Sequence, residues 1–299
     1  MRILVSGSSG LVGTALRASL SAAGHTVERL RRGVGPSRPG WVTWDPSLNL
    51  FDPLAAEGAD AVVHLAGASI AEGRWSEKRK RVLRSSRVDA TRHLVAELAK
   101  LKAPPKVFVS ASAIGYYGNR GDELLTEKSE PAEDFLGRLS QDWEAEARGA
   151  AKFGARTVQL RIGVVLAANG GALAKMLPPF KLGVGGPIGS GRQWMSWIAL
   201  PDLVALIGHT LENRALEGPL NTVSPNPVTN RDFSRALGRV LHRPALAPLP
   251  GFVARLLLGE MADALLLAST RVLPERLQAA GYQFQHPQVE AALRAVLAR

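Results

Sequence analysis

The chain has 299 residues, of which 46% are hydrophobic and 21% charged, and its formal net charge is +11. This length and composition suit one large domain or two modest ones with a packed core, and they exclude an intrinsically disordered chain. Because there is no cysteine, disulfides, thiolate metal sites and cysteine nucleophiles are excluded, and no apolar run reaches the roughly 18 residues that span a membrane.

The N-terminal segment predicts a buried strand and a helix joined by a glycine-rich turn. MRILVSG turns into glycines before the apolar region of a signal peptide could form, so a cytoplasmic protein is expected. Arg2–Ser6 is an apolar run without alternation, which is typical of a strand buried on both faces. GSSGLVG follows, and TALRASLSAAGH then places apolar residues at helical spacing.

The glycines of this turn each have a role in binding a dinucleotide. Gly7 permits the tight turn, Gly10 lets the backbone approach a pyrophosphate, and Gly13 lets the helix pack closely on the sheet. The free amides and the dipole of the helix start would hold the phosphates. The predicted phosphate-binding set is Gly7, Ser9, Gly10, Leu11, Val12 and Gly13. The alternative is a glycine-rich turn without a ligand, which the strand before and the helix after disfavour.

The second predicted strand, Thr26–Leu30, ends in Arg31 and Arg32. NAD-specific folds often place an acidic residue near this point to hold the ribose 2′-hydroxyl. Two guanidinium groups instead attract a 2′-phosphate, so these residues predict NADP rather than NAD. A solvated basic loop is the alternative.

The third strand is predicted at Asp60–Ala66 and ends in Gly67. The carboxyl end of such a strand faces the cofactor in a doubly wound sheet, so Leu65, Ala66 and Gly67 are expected near the adenine ribose. His64 lies within the strand and is interpreted as a core histidine. One long helix is predicted from about Ser76 to Ala99.

Lys106–Ser110 and Thr157–Ile162 complete four alternating strand–helix units. They predict an α/β fold, namely a Rossmann-type doubly wound parallel sheet with a smaller, mostly helical C-terminal substrate lid. The NADP-binding domain is placed at residues 1–165 with a returning segment at about 192–223. Residues 166–191 and 224–299 are assigned to the lid.

The densest basic stretch is Arg74–Arg87, within the predicted long helix. It also contains glutamate and serine, and charge runs usually form a solvated face. The other basic residues are scattered, so we expect neither a nucleic-acid partner nor a membrane partner.

Several blocks resemble the atypical and extended short-chain dehydrogenase/reductases, and among them the nucleoside-diphosphate-sugar epimerase-like group. The blocks are GSSGLVG, HLAG, RWSEKRKRVLRSSRVDAT, SASAIGYYG, DFLGRLSQDWEAEA, RIGVVLAANGGAL and GVGGPIGSGRQWMSWI. This resemblance covers nearly the whole chain and implies an NADP-binding Rossmann fold. It also implies that the backbone at Val164 lies near the nicotinamide and that Arg87 contacts the cofactor, although a surface role for Arg87 is equally open. Many relatives pair through helices, which makes a homodimer an expectation by analogy only.

The superfamily's chemistry uses a serine or threonine that polarises a carbonyl and a Tyr-x-x-x-Lys pair. Ser112 matches the serine, but the pair is absent. Phe135 and Leu139 occupy one register of the expected helix, and the next register places Leu136 and Ser140 there. Tyr116 and Tyr117 remain as candidates for a catalytic acid or for the lining of a substrate pocket.

Other polar residues give weaker indications. Trp194 and Trp197 are candidates for one wall of a substrate pocket, with plain packing as the alternative, and Arg192 for binding an anionic group. Asp202 is expected to cap or orient a loop. A final set could act as bases, although a solvated loop is expected for it: Asp122, Glu127 and Glu130. No spacing of His, Asp or Glu predicts a metal site.

Two functions remain open at this point. The first is an NADP-dependent oxidoreductase or epimerase that acts on a small polar or sugar-nucleotide-like substrate, with Ser112 in the site. The second is a non-catalytic NADPH-binding sensor or interaction protein, which the absent Tyr-x-x-x-Lys pair favours.

Overall fold

A computed structural model describes residues 1–298 and contains one large sheet, three small two-stranded sheets and helices on both faces of the large sheet. The strands are β1 (Arg2–Ser6), β2 (Thr26–Arg31), β3 (Trp41–Asp45), β4 (Leu50–Phe51), β5 (Ala61–His64), β6 (Val107–Ala113), β7 (Leu124–Leu125), β8 (Arg156–Ile162), β9 (Val164–Leu166), β10 (Trp194–Met195), β11 (Trp197–Ala199), β12 (Gly218–Thr222), β13 (Val228–Thr229) and β14 (Arg271–Val272).

The α-helices include two very short ones and several of three turns or more. They are α1 (Leu11–Ala22), α2 (Pro53–Ala56), α3 (Glu77–Arg84), α4 (Ala90–Leu98), α5 (Phe135–Arg148), α6 (Gly171–Lys181), α7 (Leu200–Glu212), α8 (Asn230–Leu241), α9 (Gly251–Leu258), α10 (Glu260–Ala262), α11 (Glu275–Ala279) and α12 (Val289–Leu297). Short 3₁₀ segments cover Ile114–Tyr116 and Gly149–Phe153, and π-helical turns cover Ser85–Asp89 and Asp263–Leu267.

The large sheet has eight strands in the order β12-β8-β6-β5-β1-β2-β3-β4. Every neighbouring pair is parallel except β3 with β4. The strand order reverses between β1 and β5, and ligands of such sheets bind in the crevice outside the carboxyl ends of the strands at this point. The predicted Rossmann-type α/β fold is therefore confirmed.

Three strands of the large sheet were not predicted, namely β3, β4 and β12. β3 (WVTWD) lies between β2 and the short β4, and β12 (GPLNT) lies at the other edge beside β8. β12 contains a single large apolar residue, Leu220, and begins with Gly-Pro, so its composition resembles a loop. Parallel pairing with β8 over five residues makes it a strand.

The long helix predicted from about 76 to 99 is interrupted by the π-helical turn. Ser76 caps the start of α3 by accepting a hydrogen bond from the Arg79 amide. Ser85–Asp89 then form the π turn, and α4 continues the path. A π turn inserts one residue into a helix and occurs often at functional sites.

Two apolar layers cover the large sheet. On one face, Leu16 of α1 and Leu206 of α7 pack against strand residues such as Val158, and on the other face Leu94 of α4 packs near Phe108. These side chains are fully buried. A separate apolar cluster lies in the C-terminal part and includes Leu173, Phe180, Trp197, Phe233 and Leu293. Among residues 1–298, no helix is both long and apolar enough to cross a membrane.

His64 at the end of β5 is fully buried, as expected for a core histidine. Its Nδ1 lies 2.7 Å from the Ser6 hydroxyl, and its Nε2 lies 3.0 Å from the Thr91 hydroxyl. Burial lowers the pKa of His64 from 6.5 to about 4, because the imidazolium would lose its hydration there. The imidazole is therefore neutral at neutral pH.

This burial predicts a pH-dependent stability. The unfolded chain takes up a proton on His64 below pH 6.5, whereas the folded chain does so only below about 4. The contribution of His64 is present in full above pH 6.5 and is lost as the pH falls from 6.5 to about 4. The two pKa values correspond to about 3 kcal/mol of unfolding free energy.

Urea unfolding of the wild type and of His64→Asn at pH 7, 5.5 and 4 measures this contribution. We expect the wild type to lose about 3 kcal/mol more than the variant between pH 7 and pH 4. Parallel pH profiles of the two proteins would contradict the assignment.

Candidate functional site

The glycine turn after β1 lies at the topological switch point, directly against the end of β5. Gly7 has a φ of +64°, and a Cβ there would lie 2.6 Å from the Leu65 carbonyl carbon and 2.8 Å from the Ala66 amide nitrogen. Leu65 and Ala66 therefore border the same crevice as Gly7. The backbone amides of both residues donate hydrogen bonds to the Ser6 hydroxyl oxygen, at 3.1 and 3.2 Å.

Gly13 and Gly10 have different surroundings. A Cβ on Gly13 would overlap the Gly7 carbonyl, so packing of α1 on the turn requires glycine there. A Cβ on Gly10 would meet only the Gly7 carbonyl oxygen, at 3.3 Å, and Gly10 is exposed. A side chain at Gly7 or Gly13 would therefore clash with neighbouring backbone, whereas Gly10 is exposed and has room on its outer side.

The start of α1 is suited to an anion. Gly10 is its N-cap and offers no side-chain cap, and the first turn has no acidic residue. Helix N-termini leave amides without intrahelical partners and attract negative charge. Ser9 in this turn is exposed, and Leu11 and Val12 are half-buried, so the predicted phosphate-binding set borders open space.

Arg31 and Arg32 are exposed where β2 ends. The guanidinium of Arg31 lies 4.2 Å from the ring centre of Trp41, a residue of the unpredicted strand β3. Asp45 at the end of β3 accepts hydrogen bonds from the Ser47 hydroxyl, and with the charge of Arg32 these keep its pKa below the usual value. Trp41 therefore orients one arginine, and the Asp45 carboxylate lies near the other.

Arg87 is half-buried on the π turn and lies against Gly67. A Cβ on Gly67 would lie 3.3 Å from its guanidinium carbon. Arg87 donates to the Ala68 carbonyl at 3.0 Å, and its guanidinium lies 5.4 Å from the Trp143 ring centre. No carboxylate pairs with it among the described residues, and burial together with the charge of Arg79 lowers the pKa of Arg87 to about 10. Its position at the carboxyl end of β5 makes Arg87 available to an anionic ligand.

Val164 begins β9 and is separated from the end of β8 by Gly163 alone. Its amide donates to the Ser196 carbonyl at 2.9 Å. A Cβ on the preceding Gly163 would lie 2.7 Å from the same carbonyl oxygen. Val164 is thus held where the chain leaves the sheet at the carboxyl end of β8.

Ser112 belongs to a buried ionic network that sequence reasoning did not predict. Its hydroxyl donates to Oε1 of Glu144 at 2.7 Å, and both residues are at least 97% buried. Arg161 binds both oxygens of Glu144, at 2.8 and 2.9 Å. A serine hydroxyl has one proton, and that of Ser112 is committed to Glu144, which leaves the hydroxyl as an acceptor only.

The two candidate tyrosines differ in burial and in the hydrogen bonds of their hydroxyl groups. Tyr117 is fully buried, donates to Oδ1 of Asn221 at 2.6 Å and accepts from Nη1 of Arg161 at 2.9 Å. Burial raises the pKa of Tyr117 to about 12. The prediction of Tyr117 as a catalytic acid is corrected, because its hydroxyl is occupied on both sides inside the core.

Tyr116 is half-buried, and the guanidinium of Arg161 lies 3.5 Å from its ring centre. Its hydroxyl has no hydrogen-bond partner among residues 1–298. Of the two tyrosines after β6, Tyr116 is therefore the one whose hydroxyl remains available.

Apolar side chains occupy the helix expected to carry the Tyr-x-x-x-Lys pair. Leu136 packs 3.2 Å from the position of a Cβ on Gly115, and Phe135 packs edge-on against Trp75. Ser140 is buried. This part of α5 supplies no phenol and no ammonium group.

Of the two tryptophans predicted to form a wall of the substrate pocket, Trp197 is excluded by its burial. Trp197 is fully buried and its Nε1 donates to the Asn226 carbonyl at 3.1 Å, so it belongs to the core. Trp194 is half-buried, donates to Oδ1 of Asp122 at 2.7 Å and stacks with Arg271 at 4.1 Å. Arg192 is exposed.

The prediction for Asp202 is confirmed, and the one for Glu127 is wrong. Asp202 accepts hydrogen bonds from the amides of Gln285 and His286, which confirms its role in orienting a loop. Glu127 was expected in a solvated loop, but it is buried and accepts from the Asn221 amide at 3.0 Å. Burial raises its pKa. Within residues 1–298, no group of three or more His, Asp or Glu side chains could hold a metal ion.

Comparison with known proteins places the chain among described families. The family model for the NAD dependent epimerase/dehydratase family matches residues 3–222, and a second model, a domain of unknown function (DUF1731), matches residues 249–296. An epimerase family protein of Mycobacterium bovis, Mb2239, is 43% identical over 291 residues, covering 97% of this chain and 96% of the relative.

The human epimerase family protein SDR39U1 is 40% identical over the full length of both chains. The crystal structure of its isoform 2 with NADPH superposes with a TM-score of 0.90 at 38% identity and covers 99% of each chain.

The contrast between Gly13 and Gly10 predicts different effects of the same substitution. Gly13→Ala should destabilise the protein by about 1–3 kcal/mol or more, because its methyl group overlaps backbone that cannot easily move. Gly10→Ala should change the unfolding free energy by less than about 1 kcal/mol, because its methyl group meets one oxygen at 3.3 Å. Chemical unfolding of both variants without ligand measures this, and equal losses would contradict the assignment.

Proposed function

The chain belongs to the NAD dependent epimerase/dehydratase family, and we propose that it binds NADPH and acts as an atypical short-chain reductase or epimerase on a small polar substrate. The observation that carries the cofactor assignment is the pair Arg31 and Arg32, exposed at the end of β2 beside the glycine turn. The NADPH in the SDR39U1 structure supports the same assignment.

The residues of the crevice fit such a dinucleotide. The open side of Gly10 and the uncapped start of α1 would receive the diphosphate. Arg31 and Arg32 would bind the 2′-phosphate, and the guanidinium of Arg31 lies over the ring of Trp41. Leu65, Ala66 and Gly67 would line the adenosine side, and the backbone at Val164 the nicotinamide side.

Arg87 would meet negative charge from the other side of the crevice. It lacks a carboxylate partner among the described residues, and a half-buried cation without a counter-ion is costly. An anionic group of the cofactor would compensate this cost. The π turn at Ser85–Asp89 is the local feature that places Arg87 there.

Bound NADPH would supply a hydride, and the chain would have to supply a proton and hold the substrate. Tyr116 is the proposed donor of the proton, because its hydroxyl has no hydrogen-bond partner among residues 1–298 and its ring contacts the guanidinium of Arg161. The Ser112 hydroxyl donates its one hydrogen bond to Glu144, so we propose that it accepts a hydrogen bond from a substrate hydroxyl instead of polarising a carbonyl. Trp194 and Arg192 are proposed to lie at the substrate side.

A second candidate function is a non-catalytic NADPH-binding sensor or interaction protein. Two observations favour it: Leu136 and Ser140 stand where one register of the pair would be, and the Ser112 proton is already used. This alternative shares the cofactor site and differs only in turnover.

Calorimetric titration with NADPH and NADH tests the cofactor assignment. We expect the wild type to prefer NADPH by about 10- to 100-fold, because each charge-assisted hydrogen bond to the 2′-phosphate contributes about 1.5–3 kcal/mol. Arg31→Ala/Arg32→Ala should bind both dinucleotides with similar affinity. The control Lys102→Ala/Arg214→Ala removes two exposed charges elsewhere and should keep the preference. An equal loss in both double variants would mean that only net charge attracts the cofactor.

Two assays test the chemistry: NADPH oxidation measured against a panel of small carbonyl compounds, and chromatographic detection of epimers formed from sugar nucleotides, since epimerisation consumes no NADPH overall. With a substrate in hand, Tyr116→Phe should lower kcat about 100-fold or more and leave the NADPH Kd unchanged, because only the proton-transferring hydroxyl is removed. Tyr282→Phe is the matched control, since its hydroxyl lies 3.4 Å from the Asp202 carbonyl, outside the crevice. Unchanged kcat in Tyr116→Phe would refute the proposed role of Tyr116. Absence of turnover in both assays would favour the sensor function.

A further inference from the structure

The C-terminal part carries a basic groove that the proposed chemistry does not use. Two adjoining cavities of about 480 and 450 Å³ share Arg235, Ala245 and Leu246 among their lining residues, so they form one continuous groove. Its full lining is Pro187, Gly189, Ser190, Arg231, Arg235, Gly238, Arg239, His242, Arg243, Ala245, Leu246 and Pro248. We refer to these residues as the arginine groove.

The arginine groove has four arginines in its lining and no acidic residue. Arg231, Arg235 and Arg239 follow one another at four-residue spacing on α8, so they lie on one face of that helix at a rise of about 6 Å per step. Arg243 joins them from the loop after α8, where its Nε donates to the Lys181 carbonyl. The cations therefore form a row along the groove.

Carboxylates outside the lining neutralise this row only in part. Arg239 binds Glu290 at 2.8 Å, but Glu290 also binds Arg294. Asp232 lies 3.8 Å from Arg235 and accepts the Thr229 hydroxyl at 2.6 Å. The side chains of Arg235 and Arg239 are 62% and 59% exposed, so their guanidinium groups remain accessible from the solvent.

Apart from the arginines, Ser190 and His242, the groove is lined by glycines and apolar side chains, and it has no Phe, Tyr or Trp. Leu246 is 85% exposed, and Pro187, Ala245 and Pro248 lie beside it. Gly238 forms part of the floor, because a Cβ there would lie 2.8 Å from the Arg243 carbonyl oxygen and 2.9 Å from the Ala245 methyl group. An exposed leucine between prolines and arginines is suited to a ligand that is both acidic and apolar.

These features discriminate between classes of ligand. Single-stranded nucleic acid binds by stacking successive bases on several aromatic side chains, whereas the lining has one ring, that of His242. A row of cations at helical spacing extends beyond one phosphate group. Acidic residues at four-residue spacing on a helix have the same 6 Å rise as the arginines.

We propose that the arginine groove is a docking site for an acidic amphipathic helix of a partner polypeptide. Glutamates or aspartates on that helix pair with Arg231, Arg235 and Arg239, and an adjacent apolar side chain packs on Leu246. The lining shares no residue with the predicted cofactor site, so its occupancy does not depend on the cofactor assignment.

Fluorescence anisotropy with a labelled synthetic peptide tests the proposal on the full chain. The probe is a 14-residue helix-forming peptide with glutamates at four-residue spacing on one face and leucines on the adjacent face. We expect Arg235→Glu to weaken its binding at least tenfold and Leu246→Ser at least threefold. The control Arg214→Glu changes the net charge equally on an exposed arginine between α7 and β12, and it should bind like the wild type.

Further probes separate this proposal from general attraction of polyanions. A peptide with glutamine in place of glutamate should not bind, and a single-stranded oligonucleotide of equal charge and anionic vesicles should bind at least tenfold more weakly than the acidic peptide. Thermal unfolding checks that Arg235→Glu and Leu246→Ser are folded. If Arg235→Glu does not fold, the binding of the peptide to Leu246→Ser still tests the proposal. Equal weakening by Arg214→Glu and Arg235→Glu, unchanged binding in Leu246→Ser, or tighter binding of the oligonucleotide or the vesicles would overturn the proposal.

Discussion

The ion pair between Arg161 and Glu144 determines how the candidate site is arranged. Burying two charges costs several kcal/mol for each ion, and only good geometry with further hydrogen bonds offsets this cost. Here the guanidinium binds both carboxylate oxygens, the Ser112 hydroxyl donates to the same carboxylate, and Tyr117 accepts from the guanidinium. Although burial lowers the pKa of Arg161, the hydrogen bonds and charge of Glu144 raise it overall, so the pair stays ionised.

This network explains why the polar residues at the end of β6 and just after it differ in burial and in the hydrogen bonds they can make. Ser112, Tyr116 and Tyr117 lie within six positions of one another, yet all three are fixed by contacts to the same pair. The Ser112 hydroxyl proton is engaged in a hydrogen bond to Glu144, and Tyr117 is buried in the core. The Tyr116 ring covers the Arg161 guanidinium, and its hydroxyl has no hydrogen-bond partner among the described residues. The Arg161–Glu144 pair therefore decides which of these hydroxyl groups remain available, and α5 lacks the tyrosine–lysine pair that the superfamily resemblance implies.

Much of the dinucleotide crevice could be predicted from the sequence because its signals are local. The glycine turn, the start of α1 and the two arginines all lie within the first 32 residues, where strand and helix patterns are continuous. The ionic network could not be predicted in this way. Glu144 and Arg161 lie on a helix and a strand, and only the register of β8 beside β6 brings Arg161 opposite Ser112. The charged residue inside the apolar strand TVQLRI was the one available signal. β12 and the burial of Trp197 were missed for the same reason, because tertiary pairing decides them.

The π turn at Ser85–Asp89 has a consequence for reading related sequences. Each residue of an α-helix advances the side-chain direction by about 100°, so one inserted residue changes the direction of everything that follows. An alignment that treats residues 77–98 as an unbroken helix against a relative without the insertion will therefore be out of step by one position. Arg87 lies within the inserted turn, so its counterpart in such a relative is found from its place beside Gly67 in space, not from its place in a column of residues.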